Sequence, residues 1–398
     1  MTEERAAPGR AELEAAGLYD PDAGNADEVL ELLEYLVGLG ATIDDLLATK
    51  PDELPVLAST LGIWGDRERF TLAEAAVEAG VEPALIARTW RAAGFPEPGA
   101  NPDVRQFSRG DVEILTILRA AVDLLGEDVA VQMTRVLGAA AARVADASVS
   151  AFVVNVLPQA TEQDASGLAL ARANAESLIF IDGMTSAFDT FLRHHIELGF
   201  RPPGSPDATA GIDLVRRSVG FADLVDSTAW TQRVELPELS RALTTFDSTA
   251  SEIVVERGGR VVKLIGDSVM FVAPEPATAV DIALALVDAF HTHDLLPPVR
   301  TGVATGEVLA REGDFSGQVV NLAARAVSVA RPSTLLVDSE TRASVEDSGA
   351  FSCRGAGAFA LKGFDRRVPL ARVRRTDAGM KPEGDVHTVD QVIREFRA

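Results

Sequence analysis

Cysteine is almost missing: Cys353 is the single one in 398 residues. One thiol builds neither an intramolecular disulfide nor a thiolate zinc site. This usage fits a reducing compartment, and a cytoplasmic location is the expectation. Positive charge is also scarce, with 37 Lys and Arg against 60 Asp and Glu and a formal net charge of -23. Such a surface repels phosphate backbones and anionic headgroups, which argues against nucleic-acid and membrane partners. It leaves room for a nucleotide, because divalent metals bridge carboxylates to phosphates. The N-terminus lacks the apolar stretch of a signal peptide. Uninterrupted apolar runs are lacking as well. The richest, Val129 to Leu157, is broken by Arg135, Arg143 and Asp146, and reads as a buried helix rather than a membrane span.

What is present is a globular composition, 47% apolar, long enough for two or three domains. The first 25 residues are Ala-, Glu- and Gly-rich and are expected to be loosely ordered. From Asp27 to His195 the periodicity is helical, as in the stripe Leu30, Leu33, Tyr35, Leu36 and Leu39. Two long helices are expected, about Glu127–Val156 and Glu162–Leu198. Residues 201–211 (RPPGSPDATAG) are Pro- and Gly-rich and mark a linker between a helical domain, 1–200, and a second domain, 212–375. The polar remainder, 376–398, reads as a tail. In the second domain short β-branched runs alternate with helices. Strands are expected at Arg216–Ala222, Arg260–Ile265, Ser268–Val272, Arg300–Ala304, Leu335–Asp338 and Val368–Val373, and helices at Leu236–Glu256, Ala277–His291 and Val319–Ala330. The order strand, helix, hairpin, helix, strand is ferredoxin-like. The fold class is therefore α+β, an all-α N-terminal domain followed by a ferredoxin-like one.

Three segments of the second domain carry chemistry. In VGFADLVDST, Val219 to Thr228, a buried strand ends at Asp223. In VVKLIGDSVMF, Val261 to Phe271, two β-branched runs flank Gly266-Asp267 as a tight hairpin. If the two strands are neighbours, Asp223 and Asp267 meet at one edge, as a pair of hard-metal ligands must. Alone, Asp267 is an ordinary turn residue and Asp223 a helix cap. In GDFSGQVVNLAAR, Gly313 to Arg325, Asn321 and Arg325 are four apart and share a helix face. An amide there can orient a ribose while a guanidinium stabilises phosphoryl charge.

In this order and spacing, FADLVDST, KLIGDSVM and GDFSGQVVNLAAR resemble the three signature segments of the class III adenylate and guanylate cyclases. The resemblance covers about Ser218 to Arg374. It implies that Asp223 and Asp267 hold two Mg²⁺ or Mn²⁺ ions per site, that Asn321 orients the ribose and that Arg325 stabilises the pentacovalent phosphorus. It places Lys263 and Asp314 at the base-selecting positions and, on a looser match, Lys362 at a phosphate contact. The base preference has its own chemical argument. Adenine offers an acceptor at N1 and a donor amine at C6. Lys is donor-only and ionised Asp acceptor-only, so the pair suits adenine and mismatches guanine. The implied reaction converts ATP to 3′,5′-cyclic AMP and pyrophosphate. The implied assembly is a homodimer whose sites are shared across the two-fold axis. The alternative is a catalytically silent nucleotide sensor on the same fold.

The helical half is expected to regulate the second. His194 and His195 end its last helix, where protonation near neutral pH would alter the junction. A small apolar ligand between the helices is a second candidate input. Residues 70–96 read as helix-turn-helix and, with RQFSRGDVEILTILRAA, resemble a MerR-type DNA-binding domain. Only Arg88 and Arg91 are cationic on the second helix, beside Glu82. DNA reading needs a basic footprint, so a helical packing module is the favoured interpretation.

Overall fold

The computed structural model describes residues 8–64, 68–98, 101, 103–163, 167–199 and 214–376. The chain divides into two compact units at Arg201/Pro202. The expected linker, 201–211, and the tail beyond Thr376 lie outside the described residues.

The first unit opens with α1 (Arg10–Ala15), α2 (Ala26–Gly38), α3 (Ile43–Ala48) and α4 (Leu54–Trp64). The expectation of loose order up to Asn25 needs correction. Leu13 and Tyr19 are buried in one core with Leu33 and Leu36 of α2 and Ala171 further on. A second core forms around β1 (Arg69–Phe70), α5 (Leu72–Ala79), α6 (Pro83–Ala92), β2 (Phe107–Ser108) and α7 (Arg109–Leu125). Local sequence explains the starts of α5 and α7. Thr71 with Glu74, and Ser108 with Asp111, each form a reciprocal capping box. Gly80 ends α5 in the left-handed region at φ 64°. The two cations of α6 are already paired. Arg88 binds Glu127 and Asp128, the latter at 2.6 Å, and Arg91 binds Glu97 at 3.1 Å.

The unit ends with α8 (Glu127–Asn155), α9 (Leu157–Gln163) and α10 (Leu168–Gly199). The second long helix thus starts at Leu168 rather than Glu162, behind Gly167 at φ 82°. Buried Asn174 ties it to α4 through the Pro55 carbonyl at 2.9 Å. The reading of Val129–Leu157 as a buried helix is also corrected. Only Ala130 and Val131 of α8 are buried, while Met133, Leu137, Val149 and Val154 are exposed. By length and composition alone α8 could cross a membrane. Its charges Arg135, Arg143 and Asp146 would together cost about 7–10 kcal/mol near a bilayer centre.

The second unit runs β3 (Leu214–Leu224), α11 (Ser227–Thr231), α12 (Leu236–Glu256), β4 (Arg260–Ile265), β5 (Ser268–Ala273), α13 (Pro276–Ala289), β6 (Val299–Arg311), β7 (Asp314–Ser316), α14 (Gln318–Val329), β8 (Leu335–Val337), α15 (Ser339–Val345), β9 (Phe351–Phe359) and β10 (Val368–Arg375). Its sheet has the order β4-β5-β3-β6-β8-β10-β9, with β7 on β6. The first four strands form the antiparallel ferredoxin-like array expected from the sequence, and β6 and β8 are parallel.

The two faces of this sheet are covered unequally. On one face α12, α13 and α15 pack Phe246, Phe290, Ile282 and Val345 against Phe271, Val303 and Val373. Each large side chain buried there contributes about 1.5–3 kcal/mol. On the other, among the described residues, α14 alone packs Ala323 and Ala326 against Met270, Val272, Ala304 and Leu370. Gly302 makes that approach possible. A Cβ at Gly302 would stand 2.7 Å from both the Ala323 carbonyl oxygen and the Val327 nitrogen. The helix therefore lies directly on β6.

Candidate active site

The site begins with alternation along β3. Val219 and Phe221 pack on the α14 side of the sheet, while Ala222 and Leu224 pack on the other. Strand periodicity then puts Asp223 on the α14 side as well. Its register partners are Ser268 on β5 and Arg300 on β6. All three side chains join in one row. The Ser268 hydroxyl donates to Asp223 Oδ1 at 2.5 Å. Arg300 donates to Oδ2 through Nη2 at 2.7 Å and Nε at 3.0 Å. Sequence reasoning missed Arg300, which lies 77 residues from its partner.

Asp267 follows Gly266, whose φ of 62° opens the two-residue turn between β4 and β5. The Leu224 N–H donates to the Asp267 carbonyl at 3.1 Å. The two aspartates expected to meet at a strand edge are thus on adjacent strand ends. Their donor set is hard oxygen, which suits Mg²⁺ or Mn²⁺. Among the described residues no group of three or more His, Cys, Asp or Glu gathers as a cation cage. Two carboxylates alone would leave most coordination positions to water and substrate phosphates, as Mg²⁺ sites commonly do.

Lys263 and Asp314 meet. Lys263 Nζ is 2.5 Å from Asp314 Oδ2, and the Phe315 N–H donates to Asp314 Oδ1 at 2.8 Å. Burial alone would raise the Asp314 carboxyl. The Lys263 hydrogen bond, the Phe315 N–H and the charges of Lys263 and Arg260 outweigh it and hold the group below its ordinary range.

A cleft of about 250 Å³ is lined by Gln318, Asn321, Arg325, Lys362, Gly363 and Phe364. Asn321 and Arg325 stand one turn apart on the outer side of α14, and Lys362 reaches them from the turn between β9 and β10. Among the described residues, none of these three makes a side-chain hydrogen bond or ion pair. Three uncommitted polar groups, two of them cationic, therefore converge on one concavity. Asp223 and Asp267 are not among its lining.

His194 and His195 are exposed in the last turns of α10, and His194 Nδ1 lies 3.9 Å from Glu197 Oε2.

Two known families match the chain. Residues 215–372 match the adenylate and guanylate cyclase catalytic domain family. Residues 11–186 match the adenylate cyclase regulatory domain family. An uncharacterized protein of Mycobacterium tuberculosis is 37% identical over 89% of this chain and 92% of its own length. An adenylate cyclase of Streptomyces coelicolor is 34% identical over 72% of this chain and 75% of its own. A pH-sensitive adenylate cyclase of Mycobacterium tuberculosis is 32% identical over 87% and 88% respectively. With the catalytic-domain match spanning every residue from Asp223 to Lys362, and relatives of this likeness over most of its length, the chain belongs to the class III adenylate cyclases.

Proposed function

We propose that the chain turns ATP into 3′,5′-cyclic AMP and pyrophosphate at sites completed by a second copy of itself. The observation that carries this is the placement of the reactive groups. The Asp223 row, the Lys263–Asp314 pair and the Asn321–Arg325–Lys362 cleft all lie on the α14 side of the sheet. The cleft lacks the carboxylates, so a two-fold partner facing it would bring its own.

In this reading Lys263 donates to adenine N1 and Asp314 accepts from the C6 amine. Asn321 fixes the ribose, so that the 3′-hydroxyl lies in line with the α-phosphate. Arg325 neutralises charge on the α-phosphoryl group as bonds form and break, and Lys362 holds the departing pyrophosphate. Asp223 and Asp267 would hold Mg²⁺ or Mn²⁺, which when bound would acidify the 3′-hydroxyl and neutralise phosphate charge. Arg300 would compete with a metal for Asp223 Oδ2.

The helical half fits a regulatory and pairing role. The exposed apolar residues Val149, Val153 and Val154 of α8 and Phe180, Phe191 and Leu198 of α10 support burial against a second copy. A small apolar ligand is the competing occupant, and unchanged activity and melting temperature across a panel of fatty acids would count against it. His194 and His195 are proposed as a pH input, supported by the pH-sensitive relative.

Complementation tests the shared site. Asp267→Ala and Arg325→Ala should each be inactive. Co-expressed, they form mixed dimers with one intact site, and the expected rate is about a quarter of wild type. A mixture as inactive as the separate variants would contradict the shared site.

A further inference from the structure

Lys263 reaches Asp314 because β4 is irregular. Arg260 pairs with Val272 and Val261 with Phe271, but Lys263 pairs with Met270, so Val262 is an extra residue. Met270 and Val272 face the α14 side, whereas Val269 and Phe271 face the other. Without the bulge Lys263 would sit opposite Val269, on the wrong face. With it, Arg260 and Lys263 share the α14 side, where a bulge has re-aimed the strand.

Arg260 uses this position. Its guanidinium lies 5.2 Å from the centroid of the Phe315 ring. That ring is buried among Met270, Val272 and Ala304. The residue before it is Asp314, and the Phe315 N–H holds the Asp314 carboxylate. Arg260 itself faces two charged groups, Asp314 and Arg217. A guanidinium over a buried ring holds the backbone at Phe315, and with it the direction of the carboxylate.

We propose that Arg260 and Phe315 are positioning residues for base selection, clamping β7 to β4 so that Lys263 and Asp314 present one donor and one acceptor at adenine spacing. This rests on the cyclase reading above. Neither residue touches the base. Their effect is on discrimination between purines, through the geometry of the pair that does.

The test is steady-state kinetics of the full chain with ATP and with GTP, for wild type, Arg260→Gln, Arg260→Lys and Phe315→Leu. Arg260→Gln should lower the ATP-over-GTP ratio of kcat/KM about two- to fivefold, the scale of a cation–π contact whose cation stays exposed. The loss should appear chiefly as a raised KM for ATP, with kcat close to wild type. Phe315→Leu keeps an apolar side chain without the aromatic face and should shift the ratio the same way. Arg260→Lys keeps charge without the planar guanidinium and should recover only part of it. An unchanged ratio in both Arg260→Gln and Phe315→Leu, or a fall in kcat alone, would overturn the proposal. Wild type forming no cyclic nucleotide would instead overturn the enzymatic reading, and the positioning role with it.

Discussion

Arg300 closes on a single carboxylate oxygen of Asp223 with two nitrogens, while the Ser268 hydroxyl takes the other oxygen. The carboxylate proposed to bind metal is thus held and neutralised by a cross-strand cation. Removing that cation leaves a half-buried charge without its partner. Arg300→Gln should lower the melting temperature in chelator by about 2–8 °C, from roughly 1–2 kcal/mol in a domain of this size. Added Mn²⁺ without nucleotide should raise it more in the variant than in wild type. Equal metal shifts in both proteins would show that Arg300 does not compete for Asp223.

The Lys263–Asp314 pair predicts two outcomes. Lys263→Ala should lower kcat/KM for ATP by about 10–100-fold, the scale of one charged hydrogen bond. The pair also has a pH signature. Asp314 is depressed on folding, so its stabilisation is complete above its unfolded value and is lost as pH falls through the depressed one. The gap in melting temperature between wild type and Asp314→Asn should hold steady from neutral pH to about pH 5 and shrink below about pH 4. A gap that closes between pH 8 and 6 would assign the effect to another group.

Gly302 fixes the height of α14 on the sheet. A methyl there meets backbone atoms of Ala323 and Val327, which cannot swing aside. Gly302→Ala should therefore lift α14, and with it Asn321 and Arg325. A displacement near 1 Å costs about 10²-fold in rate. The expected result is a kcat lowered by about that factor, with a native circular dichroism spectrum. An unchanged kcat would show that the helix position is not limiting.

His194 and His195 lie on an exposed helix end beside Arg193 and Glu197. The double variant His194→Ala/His195→Ala should flatten the pH–rate profile between pH 5 and 8. A profile identical to wild type would remove the two histidines from any pH response.

Periodicity made the core of the fold legible. Alternating β-branched runs marked β3, β5 and β8, and Gly-Asp marked the hairpin. Other features carried no such signal. Strand β9, FSCRGAGAF, has no β-branched residue and is largely exposed, so nothing in it alternates. The β4 bulge looks like an ordinary apolar run, VVKLI, because one extra valine does not disturb composition. Arg300 lies at the start of an expected strand and acquires meaning only when β3 and β6 pair. Leu13 and Tyr19 sit in an Ala- and Gly-rich stretch too short for periodicity to show that a distant helix covers them. The cleft was readable in part. Asn321 and Arg325 follow from helix spacing, and Gln318, three residues before Asn321, shares their face, whereas Gly363 and Phe364 require the turn between β9 and β10 to fold beside α14.

The most direct measurement of the central claim is cyclic nucleotide formation by the purified chain. ATP or GTP is supplied with Mn²⁺ or Mg²⁺, beside an Asp267→Ala control. The account predicts cyclic AMP from ATP, far less cyclic GMP from GTP, and no product from the control. No cyclic AMP from a confirmed dimer with either metal, or full activity in the Asp267→Ala protein, would contradict it.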